Sequence, residues 1–465
     1  MPLIAAFILT SAVNYGFSLA ASRILSPGDF GLVAFAQSAL LLCGFVLQSG
    51  VPWSLSRALV PADETSGRAL MRGALVANVL ISVALALVIL LLYLAGPLRN
   101  GLEQPAVLVA VLGSLPVFAI SAVARAAFQG RERFGYVGLL QAIEVVAKAI
   151  LGIALALGGL GAAGAVAGFP LGALLASLLG LGLLVSVARV RPIGDITFPK
   201  TRTVAPMFGA LFGLALVLNL DLLAVKLFVT DRAAAGQYQA AIILANAPYF
   251  LVMSALVPVL FTRLSVHGSL VATRGKVAEA LRIGIAVVLP VELLFMVVPS
   301  EVLAILFPAA YAPAAPILRL MAVGNAALIV VVVLSAAFQA IDRSWEVGRI
   351  LLGVAAAEIL ALPILVPRFG EFGAVSSFDT AAVAGCLLLA RRYQVEARID
   401  VRPALQWLGR FGLAVAVAFV LALAVRSVGG VEVGVALGGA LYYVLAVRLH
   451  LVPDLAITMP WAGRG

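Results

Sequence analysis

Long runs of residues without charge on any face constrain this chain more than any other feature. Leu80 to Leu94 and Leu413 to Val425 are two of many, and a helix that is apolar all round is buried in protein or in lipid. The whole chain of 465 residues is 63% hydrophobic and 11% charged, with a mean hydropathy of +1.16. Soluble domains carry about a quarter of charged residues, so lipid is the expected solvent. Unpaired backbone amides are excluded from hydrocarbon, which leaves helices or a closed barrel. Barrel strands alternate polar and apolar residues over about ten positions, and no such alternation is present. The first apolar run, Pro2 to Leu25, lacks the basic start and small-residue cleavage site of a secretory signal and is read as a retained helix.

Charged and Pro/Gly-rich breaks place about fourteen transmembrane helices, near 2–25, 30–58, 70–95, 105–127, 136–157, 162–188, 204–229, 234–263, 278–299, 314–340, 345–366, 371–391, 404–426 and 431–449. The formal charge is +10. Its Lys and Arg residues are scattered over short loops without interleaved aromatics, which argues against a nucleic-acid partner. They concentrate instead in even-numbered loops: Arg57, Arg68 and Arg72; then Arg125, Arg131 and Arg133; then Arg189, Arg191, Lys200 and Arg202. Arg263, Arg274, Lys276 and Arg282 follow the eighth helix, and Arg391, Arg392, Arg398 and Arg402 the twelfth. By the positive-inside rule the even loops and both termini are cytoplasmic. Cys43, Cys386, His267 and His450 have no metal-ligand spacing, and neither a disulfide nor a metal is expected.

An internal repeat organises these helices. Phe128-Gln129, Arg133 and Val137-Gly138 recur with identical spacing as Phe338-Gln339, Arg343 and Val347-Gly348, and Gly161, Gly164, Ala165 and Val166 are answered by Gly370, Gly373, Ala374 and Val375. At similar offsets Asn14 and Gly31 correspond to Asn219 and Gly236, and Pro52 and Arg57 to Pro258 and Arg263. The expected all-α architecture is two six-helix lobes, 1–190 and 204–392, followed by an unrepeated helix pair at 403–450. Six is even, so the halves run parallel. Such halves imply a central cavity and alternating access around it.

The segment Leu25-Ser26-Pro27-Gly28-Asp29-Phe30-Gly31-Leu32, with Gly50, Pro52 and Arg57 closing the next helix, resembles the start of the O-antigen and exopolysaccharide repeat-unit flippases. These belong to the multidrug/oligosaccharidyl-lipid/polysaccharide (MOP) exporter superfamily. In the second half Asp221, Ala235-Gly236-Gln237-Tyr238-Gln239-Ala240-Ala241 and Pro258 follow the same pattern, and the resemblance covers residues 1 to about 391. It implies two lobes around a cationic cavity that accepts an anionic pyrophosphate-linked sugar. The lipid-linked oligosaccharide, on undecaprenyl pyrophosphate, would be flipped to the outer leaflet of a bacterial cytoplasmic membrane. Membrane lipids and polysaccharide polymerase or assembly proteins are the further partners implied. The alternatives are a cation-coupled multidrug antiporter of the same superfamily and a membrane-embedded glycan ligase or polymerase.

Ionisable groups at bilayer depth cost about 2.5–3.5 kcal/mol each on insertion scales and mark functional positions by default. Glu144 and Lys148 stand i, i+4 on the fifth helix, an orientation that favours pairing; a neutralised structural pair is the competing explanation. Asp221, Lys226, Glu292, Arg319, Glu358 and Asp379 lie within later helices. The resemblance makes Asp221 the candidate for proton or sodium coupling, against a helix-to-helix hydrogen bond. Arg57 and Arg263 are repeat-related and end their helices where a guanidinium can fork onto a diphosphate, and Arg23 could do so on the other side. Ordinary snorkelling anchors are the alternative. Asn14 and Asn219 complete the intramembrane polar set.

Gly159, Gly161 and Gly164 match a dinucleotide fingerprint on paper, but they link two apolar helices and follow no strand. Gly164, Gly168 and Gly172 are spaced for close helix contact, and Pro170 and Pro290 are expected to kink their helices. No Walker-type phosphate loop is present, so energy would come from a gradient or from product removal. The outer loops are short for a membrane enzyme, and no cofactor is implied.

Overall fold

A computed structural model describes residues 2–186, 195–201, 204–265, 269–399 and 402–448. The loop arginines Arg189, Arg191 and Arg202 and both histidines, His267 and His450, lie outside the described residues. The described residues are mostly helical, and no strand is found among them. The first seven helices are α1 Pro2–Ile24, α2 Pro27–Ser49, α3 Val51–Leu59, α4 Glu64–Leu94, α5 Pro105–Gly130, α6 Phe134–Leu155 and α7 Gly161–Ser186. They are followed by α8 Ala205–Val217, α9 Leu220–Phe228, α10 Ala234–Leu264, α11 Leu270–Val297, α12 Pro299–Leu306, α13 Ala315–Ala340, α14 Ser344–Phe369, α15 Glu371–Ala397 and α16 Arg402–Arg448.

Among the described residues nine helical runs are long and apolar enough to cross a membrane, or ten if the bent pair α8–α9 is one span. The expected all-α polytopic class therefore holds, and the chain is a multi-pass membrane protein; fourteen remains an expectation. Three features separate ten from fourteen, the first being that α1 is not among the counted runs. The run Phe134–Ser186 counts once, yet it reverses at Gly159 (φ 98°) and Gly161 (φ 52°), so that α6 and α7 pack against each other. The run α16 is 47 residues long. Straight, it would hold Phe411 and Tyr442 about 46 Å apart at 1.5 Å per residue, but their ring centroids are 6.2 Å apart. It folds back on itself as two legs, which matches the expected terminal helix pair.

The chain packs as two compact units, one of residues 1–244, 303–321 and 344–381, the other of residues 245–302, 322–343 and 382–465. In the first, α2 starts from a Ser26 cap, whose hydroxyl accepts the Asp29 amide and lies 3.0 Å from the Asp29 carboxylate. This pairing satisfies an orphan amide of the first turn, and Pro27 at the first helical position has no amide to satisfy. The conspicuous Ser-Pro-Gly-Asp string is thus a helix start. Two residues on, Gly31 meets Gly236 backbone to backbone: a Cβ on Gly31 would lie 2.7 Å from the Gly236 nitrogen. Glycines at equivalent positions of the repeat touch one another where α2 and α10 cross.

The glycines of α7 set its distance from α6. A Cβ on Gly164 would lie 2.6 Å from the Leu155 carbonyl carbon, one on Gly168 would fall against the Lys148 carbonyl, and one on Gly172 against that of Glu144. The small-residue spacing thus does what the sequence suggests, pressing α7 onto the stretch of α6 that carries Glu144 and Lys148. Pro170 and Pro290 lie within helices that continue through them.

The second unit includes α11, to which the folded-back α16 is fastened. Phe411, Ala414, Val415 and Ala446 form a buried cluster with Ala286, and the Tyr442 hydroxyl donates to the Ala286 carbonyl at 2.6 Å.

The repeat recurs in backbone detail. Glu132 and Asp342, 210 positions apart, both take positive φ (58° and 60°). Arg133 N donates to Phe128 O at 2.8 Å and Arg343 N to Phe338 O at 2.9 Å, the same helix-ending turn in each half. Gly161 and Gly370 (φ 52° and 59°) likewise open matching helices. A Cβ on Gly164 would strike Leu155, and one on Gly373 would strike Leu365.

Candidate functional site

Within the first unit a cavity of about 590 Å³ is walled by α1, α2, α3, α5, α6 and α7. Its charged lining is Arg125 from α5 and Glu144 and Lys148 from α6, with Asn14, Gln37, Gln48, Gln129 and Gln141 as amides and Phe45, Trp53, Phe118 and Phe169 among the aromatic walls. A pocket of this size with a few polar groups on an apolar wall is the usual form of a ligand site.

Glu144 pairs with Arg125 rather than with Lys148. The Arg125 Nη1 lies 2.5 Å from Glu144 Oε2, and the Ser121 hydroxyl donates to the same oxygen at 2.7 Å. Helical spacing brings Lys148 to the same side of α6, but its ammonium donates to Asn14 Oδ1. It also stands 4.8 Å and 5.2 Å from the ring centroids of Phe169 and Phe17, rings that meet edge-on. The ring faces attract the cation electrostatically. Gln141 donates to Thr10 at 3.2 Å and ties α6 to α1 a turn away.

Arg125 belongs to this site and not, as the basic-loop count had it, to a loop. It lies inside α5, with its side chain only 13% exposed. Its sequence signal is that it stands five residues before the end of the helix, one turn from Ser121, in a stretch otherwise alanine and valine.

A second polar group in the first unit surrounds Tyr238. The Tyr238 hydroxyl donates to Asp221 Oδ2 at 2.8 Å, and the Leu222 amide to Asp221 Oδ1 at 2.8 Å, both in buried surroundings. The helix-to-helix hydrogen bond weighed for Asp221 is present. Glu358 on α14 is 2% exposed, and neither of its carboxylate oxygens has a hydrogen-bond partner among the described residues; it lies within electrostatic reach of Asp221. Half-buried Asp379 acts on Tyr238 from α15. Asn219 donates back to the Ala215 carbonyl, 2.8 Å away. In the second unit Glu292 is 1% exposed, and among the described residues its two oxygens also have no hydrogen-bond partner.

Lys226 finds an acid that sequence reasoning did not anticipate. Glu103, in the segment between α4 and α5, takes Lys226 Nζ at 3.4 Å and Arg232 Nη2 at 2.8 Å. Partial burial pushes the Glu103 carboxyl up, but the Arg232 hydrogen bond and the two positive charges outweigh it and hold it below the usual carboxylate range. Arg23, Arg57, Arg263 and Arg319 are all exposed, and the cavity lining includes none of Arg23, Arg57 and Arg319. Arg23 donates to the Leu306 carbonyl at 3.4 Å.

The fold is similar to that of solved transporters over nearly the whole chain. A structure of the lipid II flippase MurJ, in an inward closed conformation, superposes with a TM-score of 0.76 at 14% identity, covering 97% of this chain and 98% of that one. An inward-facing multidrug resistance MATE family transporter of the MOP superfamily gives 0.62 at 15% identity, over 84% and 96%. A MOP superfamily transporter from Pyrococcus furiosus, described as having a binding pocket of reversed polarity, gives 0.51 at 16% identity, over 86% and 96%. No curated protein sequence matches. The family model described as polysaccharide biosynthesis protein matches residues 20–316, well over half of the chain, and the chain therefore belongs to that family.

Proposed function

We propose that this protein flips a lipid-linked oligosaccharide, carried on undecaprenyl pyrophosphate, from the cytoplasmic to the outer leaflet of a bacterial inner membrane, with both termini in the cytoplasm. One observation carries the reading: the cavity of the first unit combines a guanidinium, an ammonium, five amides and several aromatic rings. Cations suit a phosphate, amides suit sugar hydroxyls, and aromatic faces suit the apolar face of a pyranose. The headgroup would pass through the protein while the polyprenyl tail stays in lipid. Arg57 and Arg263, with Arg23 and Arg319, would attract the diphosphate at the surface before it enters.

Coupling is assigned to the acids around Tyr238. Asp221, Glu358 and Asp379 would take up a proton or a sodium ion, because the buried Glu358 carboxyl, with no hydrogen-bond partner among the described residues, is stable only when protonated or paired with a cation. No bond is made or broken in the substrate on this reading, and a polymerase or assembly protein would take the product on the far side. A cation-coupled drug antiporter is the second reading, favoured by the same acids.

Transbilayer movement of a labelled polyprenyl-pyrophosphate oligosaccharide in proteoliposomes separates the two. The flippase reading expects movement by the wild type and none by the Arg57→Ala/Arg263→Ala double variant, with insertion unaffected. Asp221→Asn is expected to abolish the dependence of the rate on pH or sodium. Efflux of cationic drugs, with no movement of any oligosaccharide tried, would favour the antiporter.

A further inference from the structure

We propose that Glu144 is a built-in stand-in for the substrate's phosphate. It holds Arg125 while the cavity is empty and moves to Lys148, one turn along its own helix, when a phosphate oxygen takes the guanidinium. The inference rests on the reading that the cavity receives the anionic headgroup. It goes further in naming the group that the phosphate must displace.

The geometry of the Arg125–Glu144 pair points to this. Arginine–carboxylate pairs frequently use two parallel N–H···O bonds, fork to fork. The chain contains such a pair in its second unit, where Arg343 Nη1 and Nη2 meet the two oxygens of Glu396 at 2.9 and 3.2 Å and Arg392 adds a third bond. Arg125 instead reaches Glu144 through one nitrogen, and that contact and the Ser121 bond both fall on Oε2. Oε1 accepts no hydrogen bond, and the rest of the guanidinium fork has no partner among the described residues, although its side chain is only 13% exposed and lines the cavity. A partly buried guanidinium with most of its donors unused is costly unless another acceptor arrives.

Lys148 is under-coordinated in the same sense. It is 9% exposed and has three donors, and its hydrogen bond to Asn14 occupies one; the Phe17 and Phe169 faces offer it charge but no lone pair. Glu144 therefore stands between a cation on α5, which it holds, and a second cation one turn along its own helix, which among the described residues it does not. Transfer from Arg125 to Lys148 opens the fork to phosphate and completes the ammonium's coordination in one movement. No proton and no net charge need cross the membrane in that exchange.

The test is the affinity of purified protein for a short-chain polyprenyl diphosphate oligosaccharide with neutral sugars, beside the same headgroup on a monophosphate and an uncharged polyprenyl glycoside. Glu144→Gln keeps the shape and the Ser121 contact but competes weakly for the guanidinium. It is expected to bind the diphosphate probe about tenfold or more tightly than wild type, with no gain for the uncharged glycoside. Arg125→Gln should lose most of the preference for the charged probes in both backgrounds. If Glu144→Gln binds no more tightly while Arg125→Gln loses binding, the stand-in role is overturned and the cavity remains the headgroup site. If neither substitution changes binding, both the role and the cavity assignment are wrong.

Discussion

Lys148 and Glu358 occupy equivalent places in the repeat, 210 residues apart, yet one is a cation beside aromatic rings and the other an acid with no hydrogen-bond partner among the described residues. The repeat thus carries ionisable residues of opposite charge at matching points of its two halves. Both were legible in the sequence, because a charge within a long apolar run is conspicuous whatever surrounds it. Their partners were not, because a partner depends on which helix lies opposite. Arg125 stands close enough to the basic loop that follows to be counted with it, and Glu103 reaches Lys226 across 123 residues of chain. The Glu103 pairing gives a prediction with a definite sign. A carboxyl held below its usual range stabilises the folded protein above its unfolded pKa, near 4.3, and that contribution disappears as pH falls through the depressed folded value. The melting temperature of Glu103→Gln in detergent should therefore lie below that of wild type at pH 7, and the gap should close as the buffer is taken below about pH 4. A gap of the same size at both pH values would mean that the carboxylate charge is not what matters there.

At the level of helices, α6 and α7 show why small residues govern this fold. In lipid, packing rather than water exclusion drives association, and backbones that approach closely gain the most. Gly168→Leu would push a side chain into the Lys148 carbonyl, and overpacking of this kind costs about 1–3 kcal/mol. The expected result is a lower melting temperature together with weakened probe binding, since the same displacement moves Glu144 and Lys148 relative to α1; Gly182→Leu, where nothing lies within 4 Å of an added Cβ, should do neither. Helix existence and the glycine spacing were readable from sequence because both are local. Boundaries drifted by a few residues, as in α4, which begins at Glu64 and not near 70, where a capping Asp63 accepts the Ser66 amide. The fold-back of α16 is marked in the sequence by Gly429-Gly430 and Arg426, and in space by the Phe411–Tyr442 contact.

For the molecule as a whole, the periodic loop charges and the repeat carried most of the argument, because both are sums over many residues and tolerate local error. The orientation they predict can be measured directly. In a background with Cys43 and Cys386 replaced by Ser, Thr65→Cys should react with an impermeant maleimide only from the cytoplasmic side, and Pro97→Cys only from the outside. Reversed labelling would invert the topology, and labelling of both from one side would show that α4 does not cross. The crossing of α2 with α10 also bears on how such a protein can change shape. Two helices that interlock through side chains must unpack before they can turn, whereas Gly31 and Gly236 present only smooth backbone to each other. Such a contact would work as a bearing, holding the helices at a fixed spacing with little side-chain bulk to resist a swivel, and the repeat supplies one glycine of it from each half.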